Sequence, residues 1–136
     1  MHNDSLVADY LLRAQHRLAA VNVLMELSSW ADVVRESQEI VEITLRALLR
    51  ACRIEVPRIH DVSAVLEQNR DLLPESARDR IDELSGISRS LRRDRELACY
   101  GSEDLTPSEF YRKSDAQTAM SQASLVVAVV REALDG

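Results

Sequence analysis

Apolar residues recur at intervals of three and four along nearly the whole chain, and only a helix gathers such positions on one face. The spacing predicts a first helix over 4–27, with Val7, Tyr10, Leu11, Ala14, Leu18, Val21, Leu24 and Met25 on one side and an acidic start that suits the helix dipole. Ser28 and Ser29 offer N-caps for a second helix over 30–53, buried through Val33, Val34, Ser37, Ile40, Val41, Thr44, Leu45, Leu48 and Cys52. Trp30 at its start is expected to seal one end of the molecule. Pro57 breaks the chain, and Asp61 can cap a short helix carrying Val62, Val65, Leu66 and Leu72.

Pro74 marks the start of a helix over 75–100, which Gly101 can close in the left-handed conformation. Gly86 lies inside that helix at a cost of about 1 kcal/mol relative to alanine, which predicts a close helix contact or a bend. Thr106 to Glu109 forms a capping box with Pro107 at the first helical position, starting one short turn. Ser114 to Gln117 repeats the signature before the last helix, whose stripe of Ala116, Ala119, Met120, Ala123, Val126, Val127, Val130 and Leu134 is the most regular in the chain.

With 136 residues there is material for one core and one domain, 1–136. Three glycines and three prolines supply too few turns for an all-β fold, and 46% hydrophobic residues exclude disorder. The expected fold is all-α, an antiparallel up-and-down four-helix bundle with an additional short helix. Cys52 and Cys99 have no paired spacing and no histidines beside them, so no metal site and no cofactor are expected. No stretch approaches the roughly 20 apolar residues of a membrane span, and the N-terminus lacks a leader pattern, so the expectation is a soluble cytoplasmic protein. Aromatic residues at 4% disfavour a surface that stacks several bases, and a net charge of -6 disfavours a general nucleic-acid coat.

One position breaks the apolar pattern. Ile81, Leu84, Ile87, Leu91, Arg95 and Ala98 share a face, so a guanidinium stands where an aliphatic side chain is due. An arginine there calls for an acid, a phosphate or a wet cleft. Arg89, Arg92 and Arg93 crowd the preceding two turns, and the competing readings are a solvated helix face and a patch that attracts RNA phosphates.

The order and spacing of these pieces resemble the HEPN domain family, the higher-eukaryote and prokaryote nucleotide-binding domains. The resemblance rests on Glu42 to Leu49, His60 to Val62, Arg95 to Gly101, Pro107 to Tyr111 and Asp115-Ala116, and spans Tyr10 to Leu134. It implies a homodimeric bundle, often encoded beside a small nucleotidyltransferase in a toxin and antitoxin pair. Many members are metal-independent ribonucleases with an arginine, four to six residues, then a histidine, two copies meeting in the dimer cleft.

Arg95 matches the first element. The histidine is missing, with Tyr100 five residues on and no histidine after His60. A phenol of ordinary pKa, about 10, is a poor base at neutral pH, so Arg95 and Tyr100 predict phosphate binding with cleavage weakened or lost. The resemblance also marks Tyr100 as a candidate acceptor of AMP from the partner enzyme, with Tyr111 a weaker one. Arg92, Arg93 and Arg95 are the candidate RNA- or phosphate-binding residues. The competing function is a helical adaptor without a nucleic-acid role, Arg95 being paired inside its own bundle.

His60 beside Asp61 reads as a local hydrogen bond at a helix start. Cys99 lacks a base and reads as packing. Glu36, Glu39 and Glu42 fall on different sides of their helix, which argues against a metal ladder. Neither a glycine-rich phosphate loop nor a catalytic triad spacing is present.

Overall fold

The computed structural model describes residues 5–56, 58, 61–101 and 105–135, and the side chains of residues 95–99 fall outside that description. Among the described residues the chain is an antiparallel up-and-down bundle of four long helices: α1 (Ser5–Glu26), α2 (Trp30–Ala51), α5 (Ile81–Tyr100) and α7 (Lys113–Asp135). Among the same residues three short helices, α3 (Val62–Gln68), α4 (Glu75–Arg78) and α6 (Pro107–Phe110), lie in the connections, with a 3-10 turn at Arg70–Leu72. There is no strand among the described residues.

The core is organised around α2, which packs against α1, α5 and α7. Every predicted apolar position of α2 from Val33 to Leu48 is buried, together with Ser37 and Thr44. Ile40, Leu45, Leu48 and Leu49 are fully enclosed, each contributing about 1.5–3 kcal/mol by leaving water. Thr44 pays little for its burial, since its hydroxyl donates to the Ile40 carbonyl at 2.6 Å. α1 is less deeply set: Val7, Ala14 and Val21 are buried, while Leu11, Leu18, Leu24 and Met25 pack at its edge. Trp30 packs against the core while remaining partly accessible.

Five expectations are corrected. Leu72 is not carried by the helix that Asp61 caps: α3 ends at Gln68, and Leu72 lies in the 3-10 turn with its side chain exposed. The helix expected over 75–100 is two helices, α4 and α5, separated by a turn at Asp79-Arg80 in which the Arg80 amide donates to the Ala77 carbonyl, three residues back. The two pieces serve different neighbours, α4 lying on α7 and α5 on α2 and α3, so one straight axis cannot satisfy both. Ser28 is not an N-cap: at φ +59° it ends α1, and the Ser29 hydroxyl reaches Asp32 at 2.6 Å instead of a backbone amide.

Ser114 does not open the last helix either. α7 begins one residue earlier, and the Asp115 carboxylate accepts from the Arg112 amide at 2.8 Å, so an acid reaching back replaces a hydroxyl reaching forward. Gly86 makes no close contact; a Cβ there meets nothing within 4 Å.

Other local signals are as expected. The Asp61 carboxylate accepts from the Ser63 amide at 3.0 Å and caps α3. Thr106 and Glu109 form both bonds of the capping box. Gly101 has φ +78°, and a Cβ there comes within 2.6 Å of the Leu105 carbonyl oxygen, so both torsion and space demand glycine.

Candidate functional site

The stripe that leads to Arg95 is real up to its last described member: Ile81, Leu84, Ile87 and Leu91 are all buried in the core that α5 forms with α2 and α3. Arg95 follows Leu91 by one turn and has helical backbone, while its side chain lies outside the described residues, as does that of Cys99. His60 lies outside them entirely.

Two features fix the C-terminal end of α5. Tyr111 is only 5% exposed and donates its hydroxyl to the Asp94 carbonyl at 2.9 Å, which ties the chain after α6 to the residue preceding Arg95. Phe110 meets the Tyr111 ring edge-on, with centroids 5.0 Å apart. Gly101 then turns the chain away, leaving Tyr100 82% exposed. Of the two tyrosines near this end of α5, Tyr100 is exposed, whereas Tyr111 is enclosed with its hydroxyl engaged.

The basic run does not form one patch. Arg89 pairs with Glu67 of α3, Arg92 with Asp61 at 3.3 Å, and Arg93 with its neighbour Asp94 at 3.5 Å. Burial tends to raise the Asp61 pKa, but hydrogen bonds from the Ser63 hydroxyl and amide, with Arg92 and Arg89 nearby, outweigh it and hold the carboxyl below the usual range. The side chain of Arg93 is 76% exposed on a different side from Arg92. Arg92 lines a groove.

That groove has a volume of about 740 Å³ and is walled by Gln38, Glu42 and Arg46 of α2, Tyr10 of α1, Arg58 of the 52–61 connection and Arg92 of α5. Arg46 donates to Glu42 at 3.4 Å and to the Arg58 carbonyl at 3.3 Å, drawing the connection onto α2. The sequence marks Tyr10, Glu42 and Arg92 singly, for other reasons, and does not mark the groove they form. Its signals are Gln38, a polar residue between the buried Ser37 and Ile40, and Arg46, one turn beyond Glu42.

Glu36 turns away to pair with Arg17 of α1, so the three glutamates of α2 do not converge. Among the described residues no three acids, histidines or cysteines are gathered to hold a metal ion. Burial pushes the Cys52 thiol up and away from the reactive thiolate.

The HEPN domain model matches residues 7–133, nearly the entire chain. The chain belongs to the HEPN domain family. It is therefore a helical domain of a nucleotide- and RNA-related kind. No curated protein and no solved structure matches it. Among the described residues no helix of this HEPN domain is long and apolar enough to cross a membrane.

Proposed function

We propose that this HEPN domain is an RNA- or nucleotide-binding homodimer related to ribonuclease toxins, the partner of a small nucleotidyltransferase in a toxin and antitoxin pair. The observation that carries the reading is the family match over residues 7–133, a range that includes Arg95 on α5. In this reading Arg95 of each protomer holds an RNA phosphate bidentately, with Arg92 and Arg93 adding to the local field. Tyr100 stands where the ribonucleases carry histidine. Its phenol is a weak base for a 2′-hydroxyl proton, so the protein retains binding while cutting is slow or absent.

Tyr100 also serves as the acceptor of AMP from the partner enzyme. Its 82% exposure at the end of a helix supports this, because a transferase has to reach the hydroxyl. An added AMP brings negative charge beside Arg95 and competes with RNA for it.

The adaptor reading has one observation in its favour: Arg89, Arg92 and Arg93 each have an acidic partner within the chain. All three pairs are solvent-exposed, and such pairs are worth about 0–1 kcal/mol, so a phosphate can displace the acid. Fluorescence anisotropy with single-stranded RNA across a salt series separates the two. Wild type binds with strong salt dependence, and Arg95→Ala loses affinity with a slope lower by about 1 per protomer. Equal binding and equal slope for wild type and Arg95→Ala overturn the proposal, and absence of RNA binding supports the adaptor.

A further inference from the structure

The groove between α1, α2 and α5 contains two polar atoms that the fold leaves unused. Gln38 is 6% exposed, and its side-chain oxygen has no hydrogen-bond partner among the described residues. Glu42 gives one carboxylate oxygen to Arg46, and its other oxygen is buried without a partner. A buried acceptor left without a donor costs about 1–3 kcal/mol, more for a carboxylate. Both stand one turn apart on the same side of α2, in the wall of a cavity large enough for a nucleotide. Their terminal torsions are soft and roughly twofold, so either oxygen turns toward the groove without a rotamer change nearer the backbone.

Two neighbouring acceptors require a ligand with two neighbouring donors. Three arginines, Arg46, Arg58 and Arg92, stand in the same wall with Glu39 and Glu42; although Arg46 bonds Glu42 and Arg92 pairs with Asp61, the guanidiniums outnumber the carboxylates of the wall and favour an anion on the same molecule. Among the nucleobases only guanine presents adjacent N–H donors on its pairing edge, at N1 and N2. Adenine and cytosine set an amino group beside a ring acceptor, and uracil flanks one N–H with two carbonyls, so each sets an acceptor against Gln38 or Glu42. Tyr10 and Val56 supply the less polar part of the wall.

We propose that this groove is a guanine-selective pocket, in which Gln38 and Glu42 accept from the base edge and Arg46, Arg58 and Arg92 hold its phosphate. The inference rests on the nucleotide-binding reading above and names the base. On binding, the phosphate replaces Asp61 as the partner of Arg92, and the base donors satisfy the two orphaned oxygens.

Isothermal titration of the full chain with GMP, IMP and AMP tests it, because IMP differs from GMP only in lacking the N2 amine. GMP is expected to bind at least about tenfold more tightly than IMP, and AMP more weakly still. Glu42→Gln replaces one acceptor by a donor and brings GMP down to the IMP level, while the helical circular dichroism spectrum is retained. A parallel arm compares oligonucleotides containing one guanosine or one inosine. A tenfold preference there without binding of free GMP assigns the pocket to guanosine within RNA, which also supports the proposal.

Equal binding of all three nucleotides, or no preference in either arm, overturns the guanine assignment. The wider reading stands apart from that outcome: RNA lacking guanine still binds with an Arg95-dependent salt slope if the domain binds RNA, and shows no binding if it does not.

Discussion

Alanine at Gly101 has to take up φ +78° and bring its Cβ to 2.6 Å from the Leu105 carbonyl oxygen and 2.9 Å from Pro107 Cδ. The left-handed conformation alone costs a residue with a Cβ about 1–2 kcal/mol. Neither close atom is the end of a flexible side chain, so relief of the contact has to shift the backbone before α6 and strain its capping box. The expected loss is about 2–4 kcal/mol in total. For a chain of this length it corresponds to a melting temperature lower by about 10 °C.

Gly86 supplies the control on the same helix. A Cβ there meets nothing within 4 Å and the backbone is not left-handed, so Gly86→Ala gains up to about 1 kcal/mol from helix propensity. Urea unfolding followed by circular dichroism, at one fixed protein concentration because association shifts apparent stability, measures both. A Gly101→Ala variant within about 0.5 kcal/mol of wild type refutes the steric argument. A destabilised Gly86→Ala variant refutes the statement that this face is open.

Leu45 is fully enclosed in the centre of α2, so Leu45→Ala is expected to cost about 2–5 kcal/mol by urea unfolding, and a loss below 1 kcal/mol contradicts its place in the core. Asp61→Ala removes the α3 cap and is expected to cost about 1 kcal/mol, whereas Asp61→Asn keeps a capping oxygen and isolates the charge. The folded Asp61 pKa is depressed, so the stability it contributes is present above the ordinary carboxylate pKa and is lost as pH falls through the lower folded value. The advantage of wild type over Asp61→Asn should thus be flat at neutral pH and shrink in acid; an advantage that grows in acid contradicts the sign.

What was legible in the sequence was periodicity and local capping. The stripe from Val33 to Leu48 is the buried face of α2, and Asp61, Gly101 and the Thr106 box end or start helices where their chemistry requires. What was not legible depends on packing between elements. Nothing local marks Asp79-Arg80 as a break, because the break arises from α4 and α5 having different partners. Ser114 and Asp115 both carry capping chemistry, and the choice between them is made by where the chain enters α7.

The site divides along the same line. Arg95 and Tyr100 are proposed from the sequence because they interrupt or follow a pattern. The groove is assembled from Tyr10, Gln38, Arg46, Arg58 and Arg92, which are distant in sequence and of which only Arg92 stands out there as a phosphate-binding candidate. Gln38 shows the difficulty well, since a glutamine beside a buried stripe is invisible until its oxygen is found without a donor.

The central claim is that α5 presents Arg95 to an anion belonging to another molecule. Photocrosslinking with 4-thiouridine RNA, followed by peptide mass mapping, tests it most directly. Crosslinks concentrated in the segment from Arg92 to Tyr100, lost on Arg95→Ala and competed by salt, are the predicted result. Crosslinks that avoid this segment, or that survive Arg95→Ala undiminished, contradict the account.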